Sequence, residues 1–243
     1  MPDPYRTAYF VMDLILFFVW AILFIRRKDL RVEMLVMSSL ILFSLGIAGI
    51  WFFNYYIIDY WSPQYLGALG LGDLFRRLGL MAGGTEDIFF VFLFSGISAV
   101  IYEEILGRRH LIKTRKKSLK FLVIFPIVMF IAYFTIAKSN MLNVIYADFI
   151  GYFICASIIW YFRRDLLRHS LLSGFFMGGF FFLFYSLIYV RIYPGIFHQW
   201  WILNKTSDIF LLGVPLEEIL WAFFLGLWVG PAYELIMGLR DGK

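Results

Sequence analysis

Two pairs of adjacent acidic residues open two long apolar stretches. Glu217 and Glu218 head the run Val214–Glu234, and Glu86 and Asp87 head another 131 residues earlier. A charged carboxylate in hydrocarbon is expensive, so an ionisable residue at or inside a membrane span reads first as part of a site. Pro215 suits the first helical position, where its missing N–H costs nothing, and it fixes the helix start beside the acids. One face of that helix carries Glu217, Trp221, Phe224 and Trp228, spaced i, i+4, i+7 and i+11, so aromatic rings line up behind the first acid. Phe90 follows Glu86 at the same interval as Trp221 follows Glu217. Asp13 and Asp148 are expected roughly two turns into their own helices, about 10 Å below the same membrane face at the α-helical rise.

Carboxylic acids and aromatic rings in lipid, without a redox cofactor, suit the proton-initiated cyclisation of an apolar polyene. An acid kept neutral by an apolar setting can protonate an alkene. Ring quadrupoles then stabilise the cation, each by about 0.5–2 kcal/mol, and a second carboxylate takes a proton away. The dipole at a helix N-terminus favours the ionised form and suits the base better than the acid. The plainer reading is that acids favour helix N-termini and sit among headgroups. One pair leaves that reading ahead; two matching pairs, each leading an aromatic face, favour function. For Asp13 and Asp148 a hydrogen bond to a neighbouring helix is as good an account as catalysis, and for each ring ordinary packing is the simplest one.

The two acidic stretches are parts of a longer repeat. At a spacing of 131, Ile88, Phe92, Tyr102, Glu103, Ile105, Gly107 and Arg109 recur as Ile219, Phe223, Tyr233, Glu234, Ile236, Gly238 and Arg240. Upstream, Arg26-Arg27-x-x-Leu30-Arg31 recurs as Arg163-Arg164-x-x-Leu167-Arg168 at a spacing of 137, with Tyr9 on Tyr146 and Tyr56 on Tyr193. Self-similarity at a fixed period fixes architecture before any single element does. We read repeat one as residues 5–112, a connector helix as 113–138 and repeat two as 139–243, in one membrane domain.

The elements that carry these residues must be membrane helices. Hydrophobic residues make up 62% of the chain and charged residues 16%, and apolar runs of about 20 residues exclude a soluble domain. The runs cover approximately Tyr9 to Ile25, Met34 to Phe53, Asp87 to Leu106, Phe121 to Ala137, Leu142 to Phe162, Leu171 to Val190 and Leu216 to Met237. None alternates with period two, which excludes a barrel. The expected fold is therefore all-α integral membrane, with seven transmembrane helices as two parallel three-helix repeats joined by a connector helix, a 3+1+3 plan. Gly174 with Gly178 and Gly226 with Gly230 mark places where helices can approach.

Charge sets the expected orientation. Basic clusters follow the first, third, fifth and seventh runs and hold 16 of the 22 Lys and Arg. The positive-inside rule places them in the cytoplasm, with the N-terminus outside and the C-terminus cytoplasmic. The chain is thus expected to be a multi-pass protein of the cell membrane. The net charge of +5 is then a matter of topology and contact with membrane lipid, and no nucleic acid is expected. Glu103 and Glu234, about 25 Å further along their helices than Glu86 and Glu217, are expected to pair with these basic loops.

Other chemistries are disfavoured by what is missing. Cys155 is the single cysteine and allows no disulfide. His110, His169 and His198 read as loop residues without metal-ligand spacing to the acids, so no metal is expected. Gly67, Gly70 and Gly72 follow no strand, which removes the nucleotide fingerprint; no cofactor is expected. Leu69 to Met81 reads as a short amphipathic helix on the outer surface. The last helix has no lysine for a retinal Schiff base. The first run lacks a basic leader, so no cleavable signal peptide is expected.

The segment Pro215-Leu-Glu-Glu-Ile-Leu-Trp221, with its echo Gly84-Thr-Glu-Asp-Ile-Phe-Phe90, resembles the Pro-x-Glu-Glu-x-x-Phe signature of the membrane lycopene β-cyclases. That family includes heterodimeric bacterial cyclases, fused archaeal forms and the cyclase domain of fungal fusions, and the likeness extends over essentially the whole chain. It implies conversion of the ψ-end groups of lycopene, or of a related carotenoid or isoprenoid, to β-ionone rings, a redox-neutral isomerisation. By position, Glu217, Glu218, Glu86 and Asp87 match the signature acids. Gly84 and Asp87 depart from the pattern, which leaves open whether both repeats do chemistry or one supplies acid and the other base. Phe90, Trp221, Phe224, Trp228, Asp13 and Asp148 are the candidates for lining the substrate.

Two other classes compete. Parallel three-helix repeats joined by one helix also describe sugar transporters of the SWEET type, although Pro63-Gln64 has no repeat partner and the first helices lack a hinge proline. A non-catalytic carotenoid-binding membrane protein is the other alternative.

Overall fold

The computed structural model describes residues 4–64, 85–107, 111–113, 115–139, 142–203 and 206–241. The expected surface helix Leu69 to Met81, the glycines at 67, 70, 72 and 84, and His110 lie outside the described residues. Long helices occupy the apolar runs: α1 (Ala8–Arg26), α2 (Arg31–Asp59), α3 (Thr85–Leu106), α4 (Phe121–Ser139), α5 (Ile145–Phe162), α6 (Leu167–Tyr185) and α8 (Leu216–Met237), with the short α7 (Ile196–Trp200) between the last two. Among the described residues, five candidate spans are long and apolar enough to cross a membrane, namely α1, α3, α5, Arg164–Val190 and α8. The fourth of these is α6 with a preceding 3-10 turn and a following π turn. Such helices are consistent with a helical membrane protein, because a helix satisfies its own backbone polar groups in lipid.

The helices pack around α8, which is the most enclosed of the candidate spans. Its closest partner is α6, and glycines set the approach. A Cβ built on Gly226 would stand 2.6 Å from the Ser173 carbonyl oxygen and 2.9 Å from the Gly174 Cα. Gly226 and Gly174, two of the four glycines that the small-xxx-small spacing singled out, therefore meet backbone against backbone, while Gly230 makes room for the Ser173 side chain. Pro231 lies inside α8 and has no N–H to give the Leu227 carbonyl four residues back. The buried Ser170 hydroxyl of α6 donates to that carbonyl instead.

Among the described residues, three short pairings tie the ends. At one end the segments that follow α3 and α8, β1 (Leu111–Lys113) and β4 (Leu239–Asp241), pair antiparallel. Each follows a glycine with positive φ, Gly107 at 64° and Gly238 at 69°, where L side chains are disfavoured. At the other end β2 (Phe210–Leu211) and β3 (Val214–Pro215) form a hairpin. Its two loop residues, Leu212 and Gly213, both have positive φ, the type I′ geometry that matches strand twist. The third pairing joins the chain leaving α2 to the chain leaving α7. The Ile202 N–H donates to the Tyr60 carbonyl at 2.8 Å and the Ser62 N–H to the Trp200 carbonyl at 2.8 Å.

The residues flanking α1 and α5 are held alike. Arg27 and Arg163 each bind the carboxylate two residues on, Asp29 and Asp165, through Nε and Nη2. Each also donates from Nη1 to a backbone carbonyl of the helix opposite, Arg27 to Glu103 at 3.2 Å and Arg163 to Glu234 at 3.4 Å. These matched bonds fall 136 residues apart, one residue from the spacing that the arginine pairs suggested. The sequence alignment paired like residues; the bonds pair like positions on the turn.

Candidate functional site

The acids at the start of α8 are held by the hairpin and by the α2 and α7 exits. Pro215 is the residue before the helix, with φ −57° and ψ 136°, rather than its first residue, and it ends β3. This folds the chain back so that the Ser207 N–H donates to Glu217 Oε1 at 2.6 Å and the Leu216 N–H to the Ile209 carbonyl at 2.9 Å. Glu217 is buried, and among the described residues its Oε2 has no hydrogen-bond partner. Glu218 is also buried and accepts two bonds on Oε1, one from the Tyr60 hydroxyl and one from Trp201 Nε1 at 2.7 Å. The Trp61–Trp201 bridge brings both donors to one carboxylate. Burial, and then the neighbouring Glu218, push the Tyr60 phenol well above its ordinary range, so it remains a donor at neutral pH.

The acids at the start of α3 are arranged with α1. Asp87 accepts from the Tyr9 hydroxyl at 2.6 Å, and buried Glu86 accepts from its neighbour Thr85 at 3.0 Å. Asp13 of α1 lies within electrostatic reach of both acids. It is 6% exposed, and among the described residues neither of its oxygens has a hydrogen-bond partner. The buried Tyr189 lies within electrostatic reach of both Asp13 and Glu218.

Asp148 sits in the first turn of α5, not two turns in, because the helix begins at Ile145 and not near Leu142. It is buried and accepts from the Tyr133 hydroxyl and from Trp221 Nε1 at 3.0 Å. It is thereby joined to the aromatic ring one turn behind Glu217.

The rings behind the acids do not form one wall. Trp221 stacks on Phe90 at 5.9 Å and on Phe94 at 5.3 Å, and Phe181 of α6 closes the group at 5.9 Å from Trp221. Phe224 turns to α5 and stacks on Phe149 at 5.3 Å. Trp228 packs against Phe125 of α4 at 5.2 Å and Tyr152 of α5 at 6.0 Å. The face expected from spacing alone diverges because α8 is surrounded, so successive turns meet different helices. The ring group common to both acidic pairs is Phe90, Phe94, Phe181 and Trp221. Each pair stands about one helical turn above it, Glu86 before Phe90 and Glu217 before Trp221.

A second polar group lies towards the other ends of α3 and α8. His169 is a buried residue of α6 rather than a loop residue. Its Nε2 stands 3.5 Å from Glu103 Oε1 and its Nδ1 3.6 Å from Glu234 Oε1. The flanking arginines, expected to pair with these two glutamates, bind their backbone carbonyls. His198 lies on the short α7.

Tyr60, Tyr133, Tyr189 and Trp201 do not stand out in the sequence, and Tyr9 does so only as a repeat match to Tyr146. In a chain with 15 tyrosines and 8 tryptophans, type alone does not distinguish a ring that holds a carboxylate from one that packs.

The helices and the buried acids together define a helical membrane protein with carboxylates enclosed around an aromatic group. Residues 143–236 match the family model described as lycopene cyclase, which supports assigning the chain to the lycopene cyclase family. The matched region covers α5, α6 and α8 and contains Glu217, Glu218 and Asp148. No curated protein and no solved structure gives a significant match to the chain.

Proposed function

We propose that the chain is a lycopene β-cyclase that closes ψ-end groups to β-ionone rings by a redox-neutral, proton-initiated reaction, with one centre between the two halves. The observation that carries this reading is that Glu86 and Glu217, from different halves, stand one turn above a single shared group of rings. The family match supplies the substrate class.

In this reading one carboxylic acid adds a proton to the terminal alkene of the end group. The cation so formed is attacked by the next alkene of the same chain, which closes the ring. A carboxylate then removes a proton from the ring, and the new double bond restores the count of atoms and electrons. Phe90, Phe94 and Trp221 present faces that stabilise the cation, by about 0.5–2 kcal/mol each. Glu217 suits the proton donor, since its Oε2 has no hydrogen-bond partner among the described residues. Glu218, oriented by two donors, suits the base. Asp13 and the Glu86–Asp87 pair complete the lining from the first half. The matched bonds of Arg27 and Arg163 and the pairing of β1 with β4 support the two-repeat plan; seven spans and a cytoplasmic C-terminus belong to the same reading through the distribution of basic residues.

The test is expression in a lycopene-accumulating bacterium with chromatography of the pigments, beside Glu217→Gln and Glu86→Gln. Cyclised carotenoid with wild type, lost in both variants, is the expected result. Unchanged lycopene despite verified membrane expression would refute lycopene as substrate.

A further inference from the structure

We propose that Glu103, His169 and Glu234 bind one divalent first-row transition metal ion inside the helix bundle, at a site separate from the outer carboxylates. Glu103 lies 17 residues beyond Glu86 on α3 and Glu234 lies 17 beyond Glu217 on α8, about 25 Å along each helix. The three side chains come from α3, α6 and α8 and are 1%, 3% and 0% exposed. One ligand atom from each can be chosen so that all three lie within 4.8 Å of one another. Around an ion with bonds of about 2.0–2.2 Å, neighbouring ligand atoms stand about 3–4 Å apart. The group therefore needs only a small contraction to close on an ion.

Its surroundings orient the ligands. The Tyr102 ring lies over the imidazole at 3.9 Å and 19°, which fixes the plane of His169. The two arginines hold the carbonyls of Glu103 and Glu234 and so fix the turns that carry the carboxylates. Both carboxylates approach the imidazole within 3.6 Å, so His169 can supply one ring nitrogen to an ion that an oxygen of each glutamate also reaches. One imidazole and two carboxylates suit zinc, iron(II), manganese(II) or cobalt(II) better than calcium or copper(I). Because the ligands span α3, α6 and α8, the ion would fasten the first half of the chain to the second.

The experiment uses the full chain, purified in detergent without a histidine tag, stripped with EDTA and reloaded with Co2+ or Zn2+. Bound metal is read by mass spectrometry, and Co2+ also by its visible absorption. The expected result is one ion per chain in wild type and in Glu217→Gln, with binding weakened at least tenfold in His169→Ala and in Glu103→Gln. Wild-type protein that retains neither ion overturns the proposal whether or not the variants fold. It would leave Glu103, His169 and Glu234 as a polar contact between α3, α6 and α8.

Discussion

Replacing Tyr60 by phenylalanine removes one of the two hydrogen bonds on Glu218 Oε1. Glu218 is 6% exposed, so water does not readily replace the lost donor. A hydrogen bond to a charged group contributes about 1.5–3 kcal/mol, which at 1.36 kcal/mol per tenfold is about 10- to 160-fold in rate if the bond orients the catalytic base. The assay is the initial rate of cyclised carotenoid formation in isolated membranes supplied with lycopene. Trp201→Phe is expected to lose a similar factor. The double variant should depart from the product of the two, because both donors act on one oxygen and neighbouring residues do not add. Tyr60→Phe at the wild-type rate, with Glu218→Gln inactive in the same membranes, would refute the reasoning, since the acid would then matter and its orientation by Tyr60 would not.

Gly226→Ala is expected to destabilise the α6–α8 contact by about 1–3 kcal/mol, the usual cost of forcing volume into a packed core, because its Cβ would meet backbone 2.6 Å away. Gly179→Ala, whose Cβ would meet nothing within 4 Å, should be neutral in the same thermal unfolding in detergent; equal effects would contradict the packing. Arg163→Ala should lower stability by about 1.5–3 kcal/mol for each charge-assisted bond lost, and Arg27→Ala should act similarly. An Arg163→Ala protein as stable as wild type would show that its bonds to Glu234 and Leu239 do not hold the turn.

Much of the frame was legible in the sequence because it rests on composition and period. Long apolar runs specify helices in lipid whatever they pack against, and the acids at 86, 87, 217 and 218 stand out because a carboxylate there is costly. Gly226 marked a close approach for an equally local reason, since only a missing side chain lets two backbones meet. The partners of those acids were not legible. Tyr60 and Trp201 reach Glu218 through a backbone pairing between segments about 140 residues apart in the chain, which no local pattern announces.

The sequence by itself determined helices and acidic heads, because each follows from residue types at short spacing. Only the tertiary structure decided which rings the acids share, and that His169 stands between Glu103 and Glu234. Contacts between α3, α6 and α8 depend on how whole helices are rotated against one another, and that rotation is set by side-chain packing along their full length.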